Sequence, residues 1–160
     1  MAAADWLPGL ITLGDSGGEW PRYLDALYAA FNETYRRVGH EFAGTRISLR
    51  RFPEVDGRHG GFYHLITEGD TEATRVPAMR RCERILWPSA IIKHAGTEDV
   101  LGWRKTDQYG ETVILALADF SYVVVLRARS DHLLLVSAYD VENERRRTKL
   151  RQEYERCEKC

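Results

Sequence analysis

Cationic, aromatic and imidazole side chains recur in the segments that bracket the most β-like part of this 160-residue chain. His64 stands in the run Phe62-Tyr63-His64-Leu65-Ile66, and Arg80 and Arg81 follow a proline. Lys93 adjoins His94, Lys105 closes Trp103-Arg104-Lys105, and Arg127, Ser137 and Tyr139 are polar positions at or near the ends of otherwise apolar strands. These residue types match what RNA cleavage without a metal requires: a base for the 2'-hydroxyl, an acid for the 5'-oxygen and cations for the phosphorane-like charge. The same residues have a plainer reading. A lone His among apolar neighbours is more often a satisfied structural residue, and an arginine-rich helix face is more often simply solvated.

Other chemistries lack their signatures. GxGxxG, GxxxxGKS or GxxxxGKT, HExxH and GxSxG are absent, which argues against dinucleotide, P-loop, zincin and α/β-hydrolase sites. Cys157 and Cys160 form a CxxC at the end of the sequence, and a zinc site would need two more ligands from Cys82 and scattered histidines, so no metal site is expected. Three cysteines and no apolar leader after Met1 point to a reducing, cytoplasmic setting, and no stretch is long and apolar enough to span a membrane. A formal net charge of -1 leaves any nucleic-acid partner to a local basic patch.

The elements that must position these side chains centre on residues 111–141. Thr112 to Ala118, Tyr122 to Arg127 and His132 to Ala138 are rich in Val, Ile, Leu and Tyr and joined by short turns, which predicts an antiparallel meander. Val100 to Thr106 adds a fourth strand. Continuous apolar runs such as Val113-Ile114-Leu115 imply cover on much of both faces. Pro21 to Val38 carries Leu24, Leu27, Tyr28, Phe31, Tyr35 and Val38 at helical spacing, a natural cover for one face. Thr45 to Arg51 reads as a half-buried strand, Pro77 opens a helix that Trp87-Pro88 breaks, and Ser89 to Ala95 is a short third helix. Asp140 is the expected N-cap of a basic C-terminal helix. Residues 1–19 read as an extended arm that docks through Trp6, Leu10 and Ile11 or frays, residues 20–156 as a single domain and residues 157–160 as a tail without function. The fold class expected is α+β, with N-terminal helices on a four-stranded meander.

The segments FYHLITEGD (Phe62 to Asp70), RRCERILWP (Arg80 to Pro88) and VSAYDVENERRRTKLRQEYE (Val136 to Glu155) resemble prophage-encoded members of the barnase, EndoU, colicin E5/D and RelE-like nuclease superfamily, over residues 40–156. The resemblance implies a metal-independent endoribonuclease of the toxin or phage-conflict kind, acting on tRNA or other structured RNA in a cleft on the sheet. Carried onto this sequence, it makes His64 a general base or acid, Arg81 and Lys105 phosphate ligands, and Ser137 and Tyr139 polar contacts. The catalytic set is then His64, Arg81, Lys105 and Tyr139. Substrate binding falls to Arg80, Arg127, Ser137, Arg145, Arg146 and Lys149, with no cofactor. No single glutamate stands out as a second catalytic group, since Glu68 and Glu111 both compete. The implied partners are RNA and an immunity or antitoxin protein, with no membrane. The competing expectation is a non-catalytic prophage module that uses the same basic surface to bind nucleic acid or protein.

Overall fold

A computed structural model describes residues 4–160; Met1, Ala2 and Ala3, the start of the expected arm, lie outside the described residues. The architecture is α+β, built on a sheet of seven strands rather than four, in the order β1-β2-β8-β7-β6-β5-β9. The four expected strands are present as β5 (Val100–Asp107), β6 (Gly110–Leu117), β7 (Tyr122–Ala128) and β8 (Leu133–Asp140), an antiparallel meander. Two additions on one side are β1 (His40–Phe42) and β2 (Thr45–Ser48), the latter parallel to β8. On the other side the expected tail is itself a strand, β9 (Glu158–Lys159), which pairs with Trp103 and Arg104 of β5. The sequence hid this pairing because two residues carry no periodicity.

Strand alternation sends Val113, Leu115, Tyr122, Val124 and Leu126 to one core and Ile114, Ala116 and Val123 to another on the opposite face. The continuous apolar runs therefore do reflect burial on both sides. The first core lies under helices. α1 (Trp20–Phe31) starts with Pro21 in its first turn and buries Tyr23, Leu27 and Phe31, and a π-helical turn (Asn32–Arg36) extends it so that the Tyr35 hydroxyl donates to the Ile85 carbonyl at 2.6 Å. Val38 lies past this helix and is 50% exposed, so the expected stripe ends one turn early. Phe31 meets Phe62 of α2 (Gly60–Ile66) edge-on at 5.4 Å, so α1 reaches the shared core partly through a second helix.

Pro77 does not open the next helix. It belongs to a two-residue strand β4 (Val76–Pro77) paired with β3 (Thr67–Glu68), and α3 (Met79–Glu83) follows it. Trp87-Pro88 likewise begins α4 (Trp87–Lys93) instead of ending α3, because proline is tolerated where a helix's first N–H groups have no partner. The arm docks through Trp6, which stacks on His94 at 3.9 Å and donates to Asp99 at 2.9 Å, and through the Ile11 amide, but Leu10 is 42% exposed.

The second core is closed by the basic helix α5 (Glu144–Arg156), whose Leu150 and Tyr154 pack towards Trp103, Phe120 and Val141. Its N-cap is Asn143, which accepts from the Arg145 amide at 2.8 Å, and not Asp140, which still lies in β8. The apolar Val141, buried against Trp103 and Phe120, holds the chain extended past Asp140 before the helix can start.

Candidate functional site

β2 and β8 stay together only at Ile47↔Leu133 and Ser48↔Leu134, then part. Two local causes open this fork. The amides of Gly60 and Gly61 donate to the carbonyls of Arg51 and Arg50 at 2.8 and 2.6 Å, drawing the chain after β2 towards α2 instead of β8. Glycine is required there, since a Cβ on Gly60 would stand 2.6 Å from the Pro53 carbonyl and one on Gly61 would stand 2.9 Å from Leu49 Cβ. In β8 the pairing steps from Val125↔Ser137 to Leu126↔Leu135, leaving Val136 as a bulge. A bulge bends its strand and re-aims side chains.

The fork holds a cleft of about 240 Å³ lined by Arg50, Gly61, His64, Arg127 and residues Leu134 to Ser137. His64 sits in the last turn of α2, and its Nε2 lies 2.7 Å from Glu72 Oε1. Glu72 opens a 3-10 turn (Glu72–Thr74) in which the Thr71 and Thr74 side chains cap one another. Arg75, just beyond, donates to the His64 carbonyl at 3.2 Å and to the Thr67 carbonyl at 2.7 Å, tying the turn to the helix. Partial burial, and then the Arg75 charge, push the His64 imidazole below its ordinary value, while the exposed Glu72 pulls the other way. His64 is accordingly neutral at pH 7, as a general base must be. Nδ1 of His64, the Ser137 hydroxyl and the Arg50 guanidinium have no hydrogen-bond partner among the described residues. Arg127 lies over the exposed Tyr109 ring at 4.6 Å, and its Nε is buried without a hydrogen-bond partner among the described residues.

A second, larger cleft of about 540 Å³ adjoins the first along β8. Glu68, Arg80, Arg81, Tyr139, Asp140, Glu142 and Arg146 line it together with the residues around them. Arg80 is neutralised there by Asp140 and by Glu142 at 3.1 Å. Arg81 and Arg146 form no ion pair among the described residues, and both guanidinium groups approach the Tyr139 ring, at 5.6 and 5.7 Å. Arg81 donates to the Thr67 carbonyl at 2.8 Å, and burial holds its guanidinium below the ordinary arginine value. A partly buried cation satisfied by one neutral acceptor is costly unless an anion joins it.

The residues named from sequence thus divide between two neighbouring clefts. His64, Arg127 and Ser137 share the fork; Arg80, Arg81, Tyr139 and Arg146 share the second cleft. Lys105 joins neither, because β5 is separated from β8 by β6 and β7, and its ammonium pairs with Glu153 at 3.0 Å. Arg145 and Lys149 are exposed on α5 and line neither cleft. Of the competing glutamates, Glu111 pairs with Arg104 at 2.8 Å and Glu68 lines the second cleft, while the carboxylate beside His64 is Glu72. Glu72 was missed because it stands in a polar loop, eight residues beyond the histidine, outside any helical spacing. Among the described residues no cluster of His, Cys, Asp and Glu is built to hold a metal, and no helix is long and apolar enough to cross a membrane. No protein-family model, curated protein or solved structure gives a significant match to this chain.

Proposed function

We propose that this chain is a metal-independent endoribonuclease of the toxin or phage-conflict kind, with its reaction centre in the fork between β2 and β8. The observation that carries the proposal is His64, bonded to Glu72 and set in one cleft with Arg50, Arg127 and Ser137. Glu72 orients the ring through Nε2, leaving Nδ1 to take the 2'-hydroxyl proton. The 2'-oxygen then attacks phosphorus, the arginines offset the charge on the phosphoryl oxygens, and the 5'-oxygen leaves with a proton from solvent. The products are a 2',3'-cyclic phosphate and a 5'-hydroxyl end. The resemblance to the barnase, EndoU, colicin and RelE-like nucleases supports the same reading. On it, the protein works in the cytoplasm and its clefts are where an immunity or antitoxin protein would dock.

The test is incubation of the purified protein with total RNA, with and without EDTA, followed by end-group analysis. Cleavage that survives EDTA and leaves cyclic phosphate ends is expected, and His64→Gln should lower the rate by about 10²–10⁴ while leaving the melting midpoint near that of the parent. Absence of cleavage in every RNA sample, or full activity in His64→Gln, removes the proposal. A binding module without catalysis is the second reading, favoured by one observation: Arg81 and Tyr139 stand in the neighbouring cleft and not around His64.

A further inference from the structure

Past Leu134 the outer edge of β8 pairs with no strand among the described residues. Both clefts lie along this edge. Leu134 to Ser137 form the floor of the first, Tyr139 to Glu142 belong to the second, and the buried Ala138 separates them. Ser137 and Tyr139 are two residues apart on an extended strand, roughly 6–7 Å, a separation comparable with the repeat of an extended single strand of nucleic acid. Among the described residues, groups left open recur on both sides of Ala138: the Ser137 hydroxyl and the Arg127 Nε, which have no hydrogen-bond partner, on one, and Arg81 and Arg146, which form no ion pair, on the other.

We infer that the Arg81–Tyr139–Arg146 cleft is a binding site for a backbone phosphate of an extended single strand that runs along β8 and continues into the His64 fork. This rests on the nucleic-acid part of the function proposed above but not on cleavage. Arg81 and Arg146 close on the phosphate from α3 and α5, with the Tyr139 ring supporting both guanidinium planes. Arg80 is excluded from the phosphate, since Asp140 and Glu142 already occupy it. A single strand fits better than a duplex, because the fork is a recess of about 240 Å³ closed on one side by α2, with no room for a second strand. Recognition of this kind targets loops and unpaired segments of structured RNA.

The probe is a fluorescein-labelled single-stranded dodecamer of 2'-O-methyl RNA, which has no 2'-hydroxyl to attack phosphorus, compared with its duplex by anisotropy across a salt series. The single strand should bind about tenfold tighter than the duplex or better. The double variant R81Q/R146Q should lose about tenfold or more in affinity and flatten the salt slope by about 1.4, the effect of two contacts at ~0.7 each. Thermal melting of R81Q/R146Q checks its fold, and the single variant Arg146→Gln, on an exposed side chain, should show a smaller loss in the same direction. Equal binding of duplex, an unchanged salt slope in folded R81Q/R146Q, or equal displacement of the strand by polyglutamate would overturn the inference. Binding as expected from a protein that cleaves no RNA retains this site and removes the nuclease. Cleavage that is indifferent to R81Q/R146Q does the reverse.

Discussion

His64 Nε2 and Glu72 Oε1 stand 2.7 Å apart, joining the end of a short helix to a polar loop that the sequence gives no reason to place there. Glu72 is the more exposed partner, at 53% of its side-chain surface against 21% for His64. Its contribution is therefore better sought in the orientation and basicity of the ring than in stability, where exposed pairs are worth about 0–1 kcal/mol.

Glu72→Gln should preserve the fold and the hydrogen bond's reach while removing the charge that raises the imidazole's affinity for protons. The rising limb of the rate profile for RNA cleavage, set by His64 losing its proton below its ordinary value, should then move to still lower pH, and the maximal rate should fall. An unmoved limb in that variant would show that Glu72 does not act on His64.

Burial pushes His40, His59 and His64 all below the ordinary histidine value. The unfolded chain then takes up more protons than the folded one as pH falls through the ordinary value of about 6.5. Stability is fully present above that pH and is lost as pH drops towards the depressed values. Of the three, His40 is bonded within the core, its Nε2 lying 2.7 Å from the buried Ser89 hydroxyl. Melting at pH 7.5 and pH 5.5 should show a lower midpoint in acid, and His40→Gln should reduce that difference. Equal midpoints for the parent would contradict the burial of these rings.

Gly61→Ala tests the origin of the fork. The added methyl meets Leu49 Cβ at 2.9 Å and the Arg50 carbonyl at 3.1 Å, neither of which is a flexible side-chain end. A loss of about 1–3 kcal/mol is expected, measured by urea unfolding, with weaker binding in the His64 cleft at temperatures where the variant remains folded. A neutral substitution would mean that the chain after β2 can retreat at no cost.

Phe31 has no exposed surface and touches Tyr28, Tyr35, His59 and Phe62. Phe31→Ala should cost about 3–5 kcal/mol, read from chemical denaturation. An unchanged midpoint would show that α1 does not help close the core it shares with the sheet.

What the sequence determined by itself was the local part of this protein. Alternation and β-branched composition located β5 to β8 to within a few residues, and the spacing of Leu27, Phe31 and Tyr35 located α1, because such signals arise within a single element. Apolar runs on β6 to β8 also carried the burial of both faces. The parallel addition of β2 to β8 and the closing strand β9 were decided by the tertiary structure, since two ladder pairs between distant segments leave no periodic trace.

The candidate site divides along the same line. Residue types singled out His64, Arg81, Arg127, Ser137 and Tyr139, but their grouping into two clefts depends on where β2 leaves β8 and where the bulge at Val136 falls. Lys105 looked equivalent to Arg81 in composition and is not, because two intervening strands and the Glu153 carboxylate hold it elsewhere. Asp140 read as a helix cap and became the partner of Arg80, because burial of Val141 keeps the chain extended past it. Glu72 gained its place beside His64 through Arg75, whose bonds to the His64 and Thr67 carbonyls fold the loop back on α2. Side-chain chemistry is written in the sequence; which side chains share a cleft follows from backbone pairings that only the folded chain makes.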